Sequence, residues 1–311
     1  DEARHVTPRI LHLAHRPGQD GDAYVRRLKS IVAACMAAVD RDRAAASPHD
    51  AKRDVASKPF SEAPDLERLH GMEDAVKWAR SLKASLALYE AGQLGWTNVA
   101  SALLLSAPPG TGKTTFARAL AAYLSVPLFV GGWSSWLGTG TGHQGSMLLA
   151  MRKSFADARA AKKAVLFIDE VDSFPNRGTL THAHADWDIQ VVNALLAEID
   201  GIEGRAGVIL LAACNHPRLL DPALIRSGRL DRHIALTTPD GEHLARIFRV
   251  HLGDDLPDVD LQRIGHMAVG ATGADIARFV RQAREAAREA VRPLCLLERL
   301  TKLEFGRCEG M

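Results

Sequence analysis

Residues 103–115 read LLLSAPPGTGKTT, and no other stretch of the chain restricts its fold so tightly. Three leucines run into a Pro108-Pro109-Gly110 turn. Gly112-Lys113-Thr114 follow, and then Phe116, Ala119 and Leu120 recur at helical spacing. Strand, loop and helix in that order are the context that a phosphate-binding loop requires. The glycines let backbone N–H groups close around phosphate oxygens, and the N-terminus of the following helix brings a positive dipole end to the same place. On this reading Pro109, Gly110, Thr111, Gly112, Lys113, Thr114 and Thr115 hold a nucleotide. Lys113 reaches the β- and γ-phosphates of ATP, and Thr114 ligates Mg²⁺. The full pattern G-x-x-x-x-G-K-[ST] begins with glycine where this chain has Ala107. Alanine serves there unless that position needs positive φ.

The length of 311 residues allows one large domain or two ordinary ones. An apolar share of 47% and a charged share of 24% are those of a globular chain. Aromatics are only 5%, and alanine carries much of the apolar share, which favours helices. A net charge of +2 gives no reason to expect nucleic acid or an anionic membrane as partner. Cys35, Cys214, Cys295 and Cys308 form no C-x-x-C pair and read as reduced thiols, so the expected location is cytoplasmic. No apolar run approaches the ~20 residues that span a bilayer. The first residues, DEARHVTPRI, lack the basic and apolar regions of a signal peptide.

Residues 1–19 read as irregular. Tyr24, Leu28, Ile31, Val32, Cys35, Met36 and Val39 give an amphipathic helix over 21–43, which either packs on its own domain or docks a partner. Residues 44–65 carry Pro48, Pro59 and Pro64 and few large apolar groups, as a linker does. The expected domains are therefore an N-terminal segment over 1–65, an α/β nucleotide-binding domain over 66–240 and an all-helical lid over 241–311. Order resumes over 66–95, where Leu69-His70-Gly71 precedes a helix carrying Met72, Val76, Ala79, Leu82, Leu86 and Leu88; further helical patterns run through 147–160, 188–200, 242–252, 259–269, 273–291 and 294–303, with a second strand at 126–130. The loop 131–145 holds six glycines with Trp133 and Trp136. Its tryptophans either form a contact surface or pack inward. The polar stretch 173–187 reads as a loop, and its His182, His184 and Asp186 as solvated rather than metal-binding.

Ala164–Ile168 is a fully apolar run, the pattern of a buried parallel strand, and it ends in Asp169-Glu170. Ligands in such sheets sit beyond the carboxyl ends of the strands, so both acids emerge beside the phosphate loop. Asp169 is expected in the Mg²⁺ shell, and Glu170 is expected to polarise the attacking water. A second buried strand, 207–214, ends at Asn215, whose amide suits γ-phosphate and water. Arg226, Arg229 and Arg232 crowd a glycine-containing turn, as anion recognition would require.

Taken together these residues resemble the AAA ATPase modules, most closely those of the FtsH type, from about Leu66 to Leu303. APPGTGKTT is similar to Walker A and VLFIDEVDSF to Walker B. EIDGIEG resembles the intersubunit-signalling segment, and AACNHP puts Asn215 at sensor 1. DPALIRSGRLDRHI resembles the second region of homology, with Arg229 and Arg232 at the arginine-finger positions, and GATGADIARFV resembles the sensor 2 segment. The resemblance implies a P-loop NTPase fold, a parallel sheet with flanking helices plus a small helical lid. It implies that Ile247 and His251 enclose the adenine, with His70, Gly71, Gly273 and Ala274 also among the nucleotide-binding residues. It also implies a homo-oligomeric, hexameric ring that hydrolyses ATP to unfold or remodel a protein substrate, with Lys113, Glu170, Asn215, Arg229 and Arg232 as the catalytic set. The family's pore loop carries an aromatic, an aliphatic and a glycine. Counting back from Phe155 puts His143-Gln144-Gly145 there, whereas Trp136-Leu137-Gly138 fits the pattern but sits earlier, so both are candidates to grip substrate. The H-E-x-x-H zinc motif of FtsH relatives does not occur in these residues. A nucleotide-gated binding module, or the motor part of a longer protease, are the alternative expectations.

Overall fold

The computed structural model describes residues 64–139, 144–181, 185–200 and 206–289. The expected helices at 21–43 and 294–303, most of the 44–65 linker, His143, His182, His184 and the Gly201-Ile202 segment lie outside these residues.

Among the described residues, five all-parallel strands form one sheet: β1 (Ala102–Ser106), β2 (Leu128–Gly132), β3 (Ala164–Asp169), β4 (Val208–Cys214) and β5 (His233–Ala235), in the order β2-β3-β4-β1-β5. Every residue of β1 and β4 is buried, because helices cover both faces of the sheet. Side chains alternate between the faces. Leu103, Leu105, Val165, Phe167, Ile209 and Leu211 meet α1 (Glu73–Glu90) and α2 (Lys113–Leu124). Leu104, Leu166, Ile168, Leu210 and Ala212 meet the other layer. That layer is α3 (Trp133–Gly138), α4 (Gln144–Ala160) and α5 (Ala185–Asp200). Each leucine or isoleucine so buried contributes roughly 1.5–3 kcal/mol.

Three more helices follow among the described residues: α6 (Gly241–Leu252), α7 (Leu261–Met267) and α8 (Gly273–Glu289). Asp240 caps α6 by accepting the N–H of His243 at 2.9 Å, and Asp260 caps α7. Their common core is Leu244, Phe248, Leu252, Ile264, Ile276, Phe279 and Val280, with Phe248 edge-on to Phe279.

Several expected boundaries move for identifiable reasons. The second strand starts at Leu128 rather than Val126, since Pro127 has no N–H to give to a ladder. Residues 131–145 are not one loop, for α3 and the start of α4 fall within them. The stretch 173–187 contains a short 3₁₀ turn, Arg177–Thr179, and the first turn of α5. Among the described residues no helix is long and apolar enough to cross a membrane.

Candidate functional site

The phosphate loop joins β1 to α2. Gly110 and Gly112 have φ of 80° and 98°, where a Cβ is strained. Ala107 is not among the residues with positive φ, so the missing first glycine is no obstacle. Gly112 caps α2 with no side-chain hydrogen bond, which leaves the first-turn N–H groups available to an anion. Thr111 Oγ1 braces the loop by donating to the Pro108 carbonyl at 2.9 Å. Lys113 is buried, and its ammonium donates to the carbonyls of Ala107 (2.8 Å) and Pro108 (3.2 Å) and to Asn215 Oδ1 (2.7 Å). Burial lowers its pKa, opposed by Asp169, Cys214, Asp172 and Glu170. Burial, with Asp172 adding to it, pushes the neighbouring Cys214 thiol up to about 12, so it stays protonated and unreactive at neutral pH.

Beside the loop, Thr114 Oγ1 donates to Asp169 Oδ2 at 3.3 Å. Asp169 Oδ1 accepts the N–H of Glu170 at 3.0 Å. Glu170 is exposed and adopts φ 50° and ψ 47°, a conformation that non-glycine residues hold only under local constraint. A hydroxyl and a carboxylate side by side are the hard oxygen donors that Mg²⁺ takes, with waters and substrate phosphates completing its shell. The positive-φ glycines and this oxygen pair fit an Mg²⁺-nucleotide.

Sequence reasoning missed Asp172. Its Oδ2 accepts the N–H groups of Asn215 (2.9 Å) and His216 (2.8 Å), which fixes the chain as it leaves β4. The one signal for it was a third acid in the Asp169-Glu170-Val171-Asp172 run.

Of the other residues expected to bind the nucleotide, the structure brings Gly273 and Ala274 to the loop. The Ala274 N–H donates to the Gly110 carbonyl at 3.1 Å. A Cβ on Gly110 would lie 2.6 Å from Thr272 Oγ1. Thr272 and Asp275 cap α8 reciprocally: Oγ1 donates to Asp275 Oδ2 at 2.8 Å, and the Asp275 N–H returns to Oγ1 at 3.3 Å. Gly71, with φ 79°, gives its N–H to Glu73 Oε1 at 3.1 Å. His70 is half-buried, and burial, Arg246 and His243 together lower its pKa. His243 joins the two parts by contacting Glu73 at 3.0 Å and Asp240 at 2.8 Å. Ile247 and His251 lie a turn apart on α6. Ile247 is half-buried against the common core of α6, α7 and α8. His251 has its pKa lowered by burial and then by Arg284.

The arginines lie at the other end of the sheet. β5 pairs with β1 in the register Leu104↔His233 to Ser106↔Ala235, so residues 226–232 precede its first residue while the phosphate loop follows the last residue of β1. The rise of β1 alone separates the two by about 15 Å. Arg226 and Arg232 are exposed. Arg229 is not: its guanidinium holds both carboxylate oxygens of Asp200 at the end of α5, and Nη1 donates to the Ala223 carbonyl at 2.6 Å. The turn is anchored by Asp221, 3% exposed, which accepts Arg177 Nε at 2.7 Å and Nη2 at 3.1 Å. Sequence reasoning found neither Asp200 nor the Arg177–Asp221 pair.

Trp136 is the clearest correction. It is 2% exposed, and its indole N–H donates to Ser154 Oγ at 2.9 Å. The ring packs on Phe155 and Phe174 and lies so close to Gly131 that a Cβ there would meet it at 2.2 Å. It is therefore core, not a substrate grip. Trp133 is half-buried, edge-on to Phe174 and Trp187.

Comparison with known proteins gives a consistent picture. Residues 103–238 match the family model described as "ATPase family associated with various cellular activities (AAA)". The chain is 40% identical over 183 residues to the ATP-dependent zinc metalloprotease FtsH 3 of Sphaerobacter thermophilus, covering 58% of this chain and 37% of that protein. It is 41% identical over 189 residues to the ATP-dependent zinc metalloprotease FtsH of Pseudomonas putida, covering 60% and 30%. Against the protein of that name from Methylibium petroleiphilum it is 38% identical over 217 residues, covering 68% and 33%. The aligned part thus spans little more than a third, at most, of these relatives' length.

Proposed function

We propose that this chain, whose residues 103–238 match the AAA ATPase family model, assembles into a hexameric ring and couples ATP hydrolysis to the unfolding or remodelling of a protein. The observation that carries this reading is the convergence of three strand ends. Lys113, just after β1, is 2.7 Å from Asn215 after β4, and Thr114 is 3.3 Å from Asp169 at the end of β3. Phosphoryl transfer asks a protein mainly for positioning and charge. Lys113 and the N–H groups of Gly110 to Thr115 meet the phosphates. Mg²⁺, held by Thr114 and Asp169, supplies charge neutralisation when bound. Glu170 takes the proton of the attacking water and Asn215 orients that water. His70, Gly71, Ile247, His251, Gly273 and Ala274 enclose the base and sugar. Arg229 and Arg232 serve the site of a neighbouring subunit, a role supported by their distance from their own phosphate loop.

The test is a pair of variants. Lys113→Ala is expected to lose ATP affinity in calorimetry. Glu170→Gln is expected to bind ATP, hydrolyse none and accumulate as the assembled ring. Unchanged affinity in the first, or normal turnover in the second, overturns the assignment. The names of the relatives favour a second reading, the motor portion of an ATP-dependent zinc metalloprotease. A coding sequence that continues into an H-E-x-x-H domain decides for it.

A further inference from the structure

Asp172 has no part in the reading above, yet it links the two strand ends that carry Glu170 and Asn215. The chain leaves β3 through Glu170 and enters a 3₁₀ turn, Val171–Ser173, closed by the Ser173 N–H on the Glu170 carbonyl at 2.8 Å. Val171 and Phe174 are wholly buried on either side, so the turn cannot swing without unpacking the core. From it the Asp172 carboxylate crosses to the end of β4. One of its oxygens accepts the N–H groups of both Asn215 and His216, at 2.9 and 2.8 Å. These amides lie just past the last residue of β4, where the ladder no longer satisfies them. The side chain of the residue so held meets Lys113 at 2.7 Å.

We propose that Asp172 is a positioning residue for ATP hydrolysis, holding the Asn215 backbone in fixed register with the turn that presents Glu170. The proposal rests on the role given to Asn215 above. For this positioning Asp172 needs only an acceptor oxygen, and an asparagine amide oxygen can accept the same two N–H groups. A metal-ligand or purely electrostatic role would instead require the carboxylate.

The experiment compares the chain with Asp172→Ala, Asp172→Asn, Asn215→Ala and the Asp172→Ala/Asn215→Ala double variant. Turnover is measured at saturating ATP, affinity by calorimetry with a slowly hydrolysed ATP analogue, and folding by thermal melting. Asp172→Ala should lower kcat about tenfold or more with affinity within about twofold, the signature of lost transition-state positioning. Asp172→Asn should stay within about threefold of the parent, since its amide oxygen can still accept both N–H groups. The double variant should be no slower than Asn215→Ala, because the two residues act as one unit. Should Asp172→Ala fail to fold, Asp172→Ser, too short to reach both amides, replaces it. An Asp172→Asn as slow as Asp172→Ala, a double variant slowed by the product of the two effects, or a normal Asp172→Ala each overturns the proposal. If Asn215→Ala itself turns over normally, the role given to Asn215 falls and the positioning role falls with it. A slow Asn215→Ala beside a normal Asp172→Ala defeats the positioning role alone.

Discussion

Replacing Trp136 with alanine separates two opposed ideas about the glycine-rich stretch after β2. If the indole gripped a substrate it would stand in solvent, and its loss would leave stability almost untouched. The structure buries it to 2% exposure between Phe155 and Phe174, with ring centroids 6.5 and 6.1 Å away. Removing a buried aromatic to alanine costs roughly 3–5 kcal/mol. The lost Nε1–H···Oγ bond to Ser154 adds little, about 1 kcal/mol or less, because the Ser154 hydroxyl still donates to the Ala150 carbonyl at 3.1 Å. The site cannot collapse easily, since Met147, Met151 and Phe174 around it are themselves fully buried. We therefore expect about 4 kcal/mol, a large part of the ~5–15 kcal/mol that holds a typical domain together. Urea unfolding followed by far-ultraviolet circular dichroism measures it, and Trp136→Phe should recover more than half of the loss. A Trp136→Ala midpoint unchanged within error would refute the burial argument and return the residue to the surface.

Gly110→Ala should weaken nucleotide binding and loosen the start of α8 together, because its Cβ would meet Thr272 Oγ1 at 2.6 Å from a backbone at φ 80°. Wild-type ATP affinity in calorimetry would refute that. Arg229→Ala subunits mixed with Glu170→Gln subunits should regain hydrolysis that neither has alone, since an arginine supplied by a neighbour is worth ~10³–10⁵ in rate. No recovery in confirmed mixed assemblies, with Asp200→Ala reproducing the Arg229→Ala defect, would make Arg229 a brace within its own chain. For Asp221, burial raises the carboxyl pKa, but the Arg177 side chain and the N–H groups of Ala223 and Arg177 outweigh it and the net shift is downward. Its contribution to stability is therefore complete above the ordinary carboxyl value and is lost as pH falls through the lower folded one. Asp221→Asn should cost about 2–3 kcal/mol at neutral pH, less than a wholly buried pair because Arg177 keeps some solvent. The difference should shrink below about pH 4. A pH-independent difference in urea midpoints would contradict this.

What the sequence disclosed and what it hid divide along a physical line. The phosphate loop, the apolar strand ending in Asp169-Glu170 and the strand ending in Asn215 were legible because each is a local pattern. A buried parallel strand must be apolar throughout, and a chemical group placed just past its end lies at the ligand edge of the sheet. The Arg229–Asp200 pair joins residues 29 apart and the Arg177–Asp221 pair residues 44 apart, and neither leaves a local trace. Asp172 was hidden for a further reason: its partners are backbone amides, which carry no side-chain signature. The stretch 131–145 misled in an instructive way. Glycines beside tryptophans left a contact surface and inward packing equally open, and the structure shows why: Gly131 is glycine because the Trp136 ring lies against it, and Gly132 because a Cβ there would stand 2.7 Å from the Asp169 carbonyl. Those glycines let an aromatic core and the backbone of the Asp169 strand approach closely. The packing under Trp136 and the position of Asp169 beside Thr114 are thus two consequences of one local choice, and a side chain at Gly132 should disturb the edge that carries Asp169 before it disturbs anything at the surface.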